Sequence, residues 1–493
     1  MSARWNENRK IARRILVKGK LTLLTPARFG ASEEGVVTSM SILRDADSNR
    51  PLLPGSSIAG AMRAYLRERK YGYETKETKG FTLLSQKLFG SVVDGEQGES
   101  RESYLLIEDA LVDKTATEFR PGVSIESATR IVKEIKDKGG QLYDMELLEA
   151  GSGFDLNFEL DLPEDESEQK ELMEAFAIAL TGFETGEIGM GTRKRRGFGE
   201  CKMDEWNVQI YNLKNPKELT AWISGASGSQ PAGKTIAEKL GFTHPLPDNR
   251  HRFKLEAEFR LPGSLLIRSG GNDPAAPDMV HLRSKHGGIG NTPILSGTSL
   301  AGVMRARGLR IAKTLFTDDK KAQKFISEIF GPDELKNQNE RNSGEEPFAS
   351  RLVVRERKVE GEKDMVQSRI RIDRFTGGTF PGALFEQQPV IGGRKSKVTV
   401  SVELRNPQDA QIGLLLHILK DLWTGDLALG GESSTGRGRL EGIKADMWLY
   451  QPGQDMQQWH ITPKDERKLH IDGNRDVLNG YATSVKEMRN EQA

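Results

Sequence analysis

The chain has 493 residues, too many for one typical core and enough for two or three domains. Lys and Arg total 72 against 71 Asp and Glu, so bulk charge names no partner and any nucleic-acid site must be a local concentration of basic residues. A single cysteine, Cys201, excludes an intramolecular disulfide framework and a cysteine-based zinc site, which fits a reducing, cytoplasmic setting; no stretch reads as a signal or a membrane span.

In chain order, the spacing predicts a strand from Arg14, with Ile15, Val17, Leu21 and Leu23 on one face, ending in Pro26-Ala27-Arg28-Phe29-Gly30. A polar loop follows, with Glu33, Glu34 and Arg44-Asp45-Ala46-Asp47. Next comes Leu53-Pro54-Gly55-Ser56-Ser57-Ile58-Ala59-Gly60-Ala61-Met62-Arg63, a loop turning into a helix. Ser56 and Ser57 are its expected N-caps, and Ile58, Met62 and Leu66 fall at helical spacing. A strand at Leu105-Leu106-Ile107, a turn at Gly140–Tyr143, a strand at Phe154–Leu160 and a helix from Glu171 to Thr181 complete the half. It closes in the glycine-rich basic loop Gly189-Met190-Gly191-Thr192-Arg193-Lys194-Arg195-Arg196-Gly197-Phe198-Gly199.

Each feature returns about 240 residues later. The strand Phe253 to Leu261 matches the first, and Leu295-Ser296-Gly297-Thr298-Ser299-Leu300-Ala301-Gly302-Val303-Met304-Arg305 matches the helix start. Leu352-Val353-Val354, Gly382-Ala383-Leu384-Phe385, Val398–Leu404, the helix Ala410–Trp423 and the loop Gly430-Gly431-Glu432-Ser433-Ser434-Thr435-Gly436-Arg437-Gly438-Arg439 follow in the same order. Two copies of one domain are the reading, each large enough to fold alone. Strand, helix, two strands, helix and strand is the order of a ferredoxin-like βαββαβ fold, so the expected class is α+β. The modules fall at 12–210 and 251–450. Residues 211–250 have linker composition, notably Ser224–Ser229, and 332–347 read as a surface insertion. Residues 451–493 read as a tail, polar and partly disordered from Arg467 onward.

Two hydroxyls at a helix start with an arginine two turns on (Ser56, Ser57, Arg63; Thr298, Ser299, Arg305) fit a phosphate seat or, more blandly, a capped helix with a surface arginine. The closing loops put glycine backbone beside Arg193, Lys194, Arg195 and Arg196 in one half and Arg437 and Arg439 in the other. This favours contact with an RNA or DNA backbone over a solvated turn. Neither loop has the ending of a Walker P-loop or the setting of a dinucleotide fingerprint. No nucleophile triad is visible, and of seven histidines only His281 and His286 lie near a candidate site. Loop carboxylates such as Asp45 and Asp278 are more often solvated or in Asx turns than catalytic.

Taken together, the Pro-Gly-Ser-Ser helix start, the run Ile372-Asp373-Arg374-Phe375-Thr376-Gly377 and the closing loops resemble the RAMP superfamily, specifically the backbone subunits of type III CRISPR effector complexes, in the tandem form of type III-D. The resemblance implies two RRM-like palms with thumb insertions. It implies binding of guide crRNA, contact with other effector subunits, no membrane, and metal-dependent cleavage of complementary target RNA at six-nucleotide steps, with Mg2+ the expected ion. Asp278 falls where the family places its critical aspartate and is the expected catalytic and metal-holding residue. The first half has Ser39 at that spacing, which leaves Asp45, or Glu33 or Glu34, as substitutes and puts cleavage by the first module in doubt. Its Ile125-Glu126-Ser127 also departs from Ile372-Asp373-Arg374. The rival readings are a non-catalytic guide-binding scaffold and a guide-processing ribonuclease working through His281 and His286.

Overall fold

The computed structural model describes residues 10–30, 39–77, 82–92, 100–113, 117–123, 142–269, 277–287, 289–316, 318–332, 348–380, 384–464 and 468–487. Its architecture is mixed α+β, as expected. Strand β1 (Arg13–Leu23) alternates, with Ile15, Val17, Leu21 and Leu23 buried and Lys18 and Lys20 exposed. That period of two lets one face pack on helices while the other stays polar. Helix α1 (Gly55–Tyr71) buries Ile58, Met62, Tyr65 and Leu66 against it. Then come β2 (Leu105–Ile107), β3 (Gly153–Leu162), α2 (Glu166–Glu184) and β4 (Cys201–Asn212). Asp165 caps α2 by accepting the Glu168 amide at 2.7 Å. The sheet runs β4-β1-β3-β2 and is antiparallel throughout, with Val17 opposite Phe158 on one side and Val208 on the other.

The second half repeats this order. Strand β5 (Arg252–Arg260) lies between β7 (Lys397–Arg405) and β8 (Glu441–Tyr450), and β6 (Leu352–Val354) pairs with the far side of β7. Helix α5 (Gly297–Leu315) follows β5 and α7 (Asp409–Trp423) follows β7, while α6 (Asp319–Phe330) packs on α5. Two separate cores result, one drawn from Ile15 to Leu240 and the other from Phe253 to Val485. At about 1.5–3 kcal/mol for each fully buried large apolar side chain, each core is enough to hold its own module.

Two segments of unpromising composition prove packed. In the linker, α3 (Pro216–Ile223) starts at Asn215, whose side chain accepts the Lys217 amide, and Ser229 exchanges two backbone hydrogen bonds with Ile210. A short helix α4 (Ile236–Lys239) follows, Ile236 and Leu240 are buried in the first core, and Asn249 then closes the end of α1 by donating to the carbonyls of Arg69 and Lys70. The expected partly disordered tail is instead β9 (Gln457–Pro463), β10 (Leu469–Asp472) and α8 (Arg475–Glu487). The two strands extend the second sheet past β8, and α8 packs on α7 with Leu478 and Val485 buried. The reason is a helical spacing of Leu478, Tyr481 and Val485 inside a polar sequence. Residues 465–467 and 488–493 lie outside the described residues.

The modules meet through the first closing loop. Arg195 donates to the Ser350 carbonyl, and the backbone of Arg196 and Gly197 lies against Gly297 and Glu356 of the second module. Around it run cross-module ion pairs: Glu187 with Arg250 (2.9 Å) and Arg252 (2.6 Å), Glu68 with Arg405 (3.3 Å), and Glu200 with Arg355 (3.3 Å) and Arg357 (3.1 Å). Lys285 reaches Glu149 at 2.5 Å.

Candidate nucleic-acid interface and active site

The repeated helix start has a different local geometry from the one expected. Helices α1 and α5 begin at Gly55 and Gly297, so Pro54 and Ser296 hold the cap positions, and neither makes a side-chain cap bond. Ser56, Ser57, Thr298 and Ser299 lie in the first turn and are not caps; the first three are exposed. In the first module the Asp109 carboxylate accepts the Gly55 amide at 2.6 Å. In the second module the Arg196 backbone lies against Gly297. The first helix start therefore already donates to a carboxylate of the protein, and the second is packed against the first closing loop.

The arginines two turns on are also engaged. Arg63 makes a two-pronged pair with Glu77, Nε to Oε1 at 2.9 Å and Nη2 to Oε2 at 2.6 Å, while Ser85 donates to the same carboxylate. Burial opposes ionisation of Glu77, but Arg63 and Ser85 outweigh it and hold the carboxyl below its usual range. Arg305 donates to the Gly331 carbonyl at 2.9 Å, closing the end of α6.

The two closing loops share one backbone. Left-handed residues fall at Gly191, Arg193, Gly197 and Gly199, and again at Gly430, Glu432, Gly436 and Gly438. Matching hydrogen bonds tie each loop down: Thr192 to Arg28 and Gly431 to Leu266, then Gly199 to Pro26 and Gly438 to Ser264, amide to carbonyl in each pair. The side chains diverge. Arg195 is half-buried at the module interface, Lys194 lies at the edge of the same cleft, and both Lys194 and Arg193 are exposed. Arg437 is buried; it donates to Gln367 (2.8 Å) and Gln387 (3.0 Å) and pairs with Glu432 at 2.9 Å. It thereby fixes the loop to the base of a projecting arm. Arg439 is exposed.

That arm is built from the middle section of the second half. The strand Gln367–Arg369 pairs with Phe385–Gln388, and beyond them a bridge joins Ile372 to Thr379. Asp373 shapes the tip by accepting the Phe375 amide at 2.7 Å, and Arg371 lies over the Phe380 ring, 4.6 Å from its centre. Phe375 is fully exposed, and Met365, Val366, Ile370, Ile372 and Leu384 are each about half exposed. Apolar residues on a two-sided ribbon have no core to fill, so the arm is shaped to meet something outside the chain. Its counterpart in the first half pairs Thr117–Val123 with Leu142–Leu148; Ile125-Glu126-Ser127 lies outside the described residues.

Asp278 stands at the root of this arm. It precedes the strand Met279–His281, which runs parallel to Phe385–Gln388, and its Oδ2 accepts the Glu386 amide at 2.9 Å. The residue is exposed. A lone carboxylate such as this could supply one oxygen to a Mg2+ ion, which keeps several waters and uses few protein ligands, with the remaining oxygens coming from outside the chain. Among the described residues no group of three or more His, Cys, Asp and Glu is placed to hold a metal by itself.

Asp45 is differently employed. Its Oδ2 accepts both the Ser48 hydroxyl (2.7 Å) and the Ser48 amide (2.8 Å), an Asx turn in which those bonds hold its pKa below the ordinary value. Ser39 sits in a strand parallel to the arm strand Leu142–Leu148, the place that Met279 takes in the second half. Glu33 and Glu34 lie outside the described residues. His281 is buried, with Nδ1 accepting the Ile267 amide and Nε2 against the Ile294 carbonyl, both at 3.1 Å. Burial pushes its pKa down to about 4, so it is a neutral framework residue. His286 rests against the Glu356 carbonyl at 3.2 Å. The two histidines form no acid–base pair, and the guide-processing reading loses its support.

Sequence reasoning missed the charged belt between the modules. Its members sit on outward strand positions, such as Arg252, Lys254 and Arg405, which read as solvated faces because their partners Glu187 and Glu68 lie in the other half of the chain.

Among the described residues no helix is long and apolar enough to cross a membrane. No curated protein matches the chain significantly. The profile of the RAMP superfamily matches twice, over residues 20–202 and 258–441, the two regions that fold as equivalent modules. The chain belongs to the RAMP superfamily.

Proposed function

We propose that the chain is a backbone subunit of a type III CRISPR effector complex that holds guide RNA and cuts complementary RNA through its second module. The observation that carries this reading is the exposed Asp278 at the root of an arm tipped by Phe375. The sheet order β4-β1-β3-β2, with both helices between its strands, supports an RRM-like palm in each module. In this reading the arm is a thumb. Its apolar tip wedges between bases and turns one target nucleotide out of the stack, which brings the backbone into line for attack. Thumbs repeated along the assembly would set cuts six nucleotides apart.

The cut itself is an internal transfer. The ribose 2′-oxygen attacks the adjacent phosphorus and loses its proton, the bond to the 5′-oxygen breaks, and that oxygen takes up a proton. The products are a 2′,3′-cyclic phosphate and a 5′-hydroxyl, and DNA, which has no 2′-hydroxyl, is not cut. Asp278 would polarise the attacking hydroxyl or hold a Mg2+ ion together with phosphate oxygens, and that ion supplies charge neutralisation at the phosphate when bound. The first module binds without cutting in this reading, because the Asp45 carboxylate is taken up in its own turn.

The docking of the first closing loop on the second module supports a head-to-tail series. The matching loop of the second module has open space around Gly436, where another subunit could dock in the same way. Ser56, Ser57, Thr298, Arg193, Lys194 and Arg439 remain the exposed candidates for RNA contact.

A non-catalytic scaffold is the second reading. It draws on the bond between Asp278 and the Glu386 amide, a structural use of the same carboxylate. The deciding experiment uses the assembled, guide-loaded complex and end-labelled complementary RNA, with and without Mg2+. Cutting is expected to leave cyclic-phosphate ends and to stop at a site carrying a single 2′-deoxy substitution. Asp278→Ala is expected to bind RNA normally and lose a cut. Unchanged cutting by Asp278→Ala would leave the scaffold reading.

A further inference from the structure

The joint between the modules has two halves. One is an edge of the first module, with Glu68 on α1, Glu187 after α2 and Glu200 after the closing loop. The other is a seat on the second module, formed by β6, the start of α5 and the outward positions Arg252, Arg355 and Arg405. Each module repeats both halves, so a second seat lies on the first module and a second edge on the second. Matched hydrogen bonds identify the seats: the Ser350 hydroxyl donates to the carbonyls of Ile329 and Leu352, and that of Ser103 to those of Leu88 and Leu105. Val353 and Leu106 hold one position, opposite Glu403 and Glu159. Val353, beside the docked loop, is 9 % exposed, whereas Leu106 is 56 % exposed. The edges differ likewise, since Gly197 lies against Glu356 while Gly436 has open space around it.

Charge matches the second edge to the second seat. Arg310 holds the place on α5 that Glu68 holds on α1. Asp426 follows the left-handed Gly425 as Glu187 follows Gly186, and Arg439 follows Gly438 as Glu200 follows Gly199. On the first module, sheet register puts Arg14 opposite Asp161 where the second has Arg252 opposite Arg405, and Glu108 follows β2 as Arg355 follows β6. Within the chain the pairs are Glu68–Arg405, Glu187–Arg252 and Glu200–Arg355. A joint between two copies on the same plan sets Arg310 against Asp161, Asp426 against Arg14 and Arg439 against Glu108. All three are opposite in charge, two of them with the sign reversed. First-module edge on first-module seat would instead set Glu68 against Asp161 and Glu200 against Glu108. Second edge on second seat would set Arg310 against Arg405 and Arg439 against Arg355. Like charges so placed disfavour both alternatives.

The surroundings reinforce the match. Arg307 and Lys420 beside Arg310 share one carboxylate, Asp421, which leaves that edge basic. Burial raises the pKa of Glu159, Arg14 lowers it, and Asp161 and Glu108 raise it again; the net shift is upward, as in a seat with more carboxylates than one arginine balances. Arg14 is held by Glu159 and Asp161 and lies under Trp222 of α3, 4.5 Å from the ring centre, so Leu106 and Glu108 are the open part of the seat.

We infer that the seat on the first module binds the second-module edge of another copy of this chain, so that copies join end to end in a single order. This rests on the head-to-tail series proposed above and not on RNA cutting. The fork of Arg439 has donors enough for Glu108 and an RNA phosphate together.

Sedimentation equilibrium of the full chain without RNA should show association that grows with concentration and weakens between about 50 and about 500 mM salt. Arg310→Glu spoils the edge and Glu108→Arg the seat; both side chains are exposed, so unfolding midpoints should match the wild type. Each variant alone should associate about tenfold more weakly or worse. Mixed, they should form a one-to-one complex and stop there, because the intact edge of Glu108→Arg meets the intact seat of Arg310→Glu. A wild-type chain that stays monomeric, or variants that associate as the wild type does, would overturn the inference. So would capture of a different effector subunit by the seat of a monomeric chain. Loss of a cut in Asp278→Ala by complexes whose chain never self-associates would overturn this inference alone and leave the function standing.

Discussion

The loops Gly191–Gly199 and Gly430–Gly438 have the same backbone and different employment. Both pass through left-handed conformations at matched positions and are tied down by matched hydrogen bonds. The first carries Arg193-Lys194-Arg195-Arg196 and docks on the neighbouring module through Arg195, Arg196 and Gly197, leaving Arg193 and Lys194 exposed. The second carries Glu432-Ser433-Ser434-Thr435, leaves Ser433 to Gly436 exposed, and uses Glu432 and Arg437 to clamp the base of the arm. Glycines set the path of such a loop, and the side chains between them decide what it meets. A run of positive charge in this fold therefore marks a junction between modules as readily as a nucleic-acid contact.

The largest stability effect is expected at Glu187, which joins the first module to Arg250 and Arg252. Burial opposes its ionisation, but Arg250, Arg252 and the Tyr65 hydroxyl outweigh that and hold its carboxyl far below the ordinary range. Glu187→Gln should cost about 3–5 kcal/mol near pH 7 in urea unfolding, because it leaves Asp248 alone to balance the buried Arg250 and Arg252. A depressed folded pKa contributes stability above the unfolded value of about 4.3 and loses it as pH falls below. The acid limb of stability should therefore be flatter in the variant. Equal acid sensitivity in the two proteins would remove Glu187 from the junction.

Next comes the matched pair Gly197 and Gly436, with φ of 88° and 87°. Gly197→Ala and Gly436→Ala share a left-handed strain of about 1–2 kcal/mol. A Cβ at Gly197 would also overlap the backbone amide of Glu356, whereas Gly436 has open space around it. Gly197→Ala should thus be worse by about 1–3 kcal/mol, an overpacking cost read from denaturation midpoints. Equal losses would mean that the docked loop does not bear on the second module.

Phe375→Ala should weaken binding of target RNA about tenfold, within the range of one lost base stack, while leaving unfolding unchanged because the ring is fully exposed. The smallest effect separates the two loops electrostatically. Arg439→Ala should lower the slope of log affinity for RNA against log salt by about 1, and Arg195→Ala should leave it alone. A reduced slope for Arg195→Ala would return the first loop to the RNA.

Much of the fold is legible in the sequence because it is written twice. Alternating strands such as Phe253 to Phe259, together with the offset of about 240, give the two modules and their element order. The caps are less legible. Serine and threonine favour cap positions, but Gly55 and Gly297 open the helices one residue earlier, where close approach of other backbone leaves no room for a Cβ. The amphipathic spacing in α8 is present in the sequence and easily passed over among polar residues. The Glu77 partner of Arg63, the Ser350 partner of Arg195 and the two glutamines that hold Arg437 lie from 14 to 155 residues away, so the residue types give a charge and only the fold gives its use.

Functional asymmetry between the modules is the central claim, and cut mapping tests it most directly. The guide-loaded complex would be assembled with wild type, Asp278→Asn or Asp45→Asn, and cuts in end-labelled complementary RNA mapped at single-nucleotide resolution beside a binding measurement. The account predicts that Asp278→Asn abolishes one cut, slowing it by about 100-fold or more as expected for a lost acid–base or metal-holding group. Binding should stay intact, and Asp45→Asn should leave every cut in place. Loss of a cut in Asp45→Asn, or an unchanged pattern in Asp278→Asn, would contradict it.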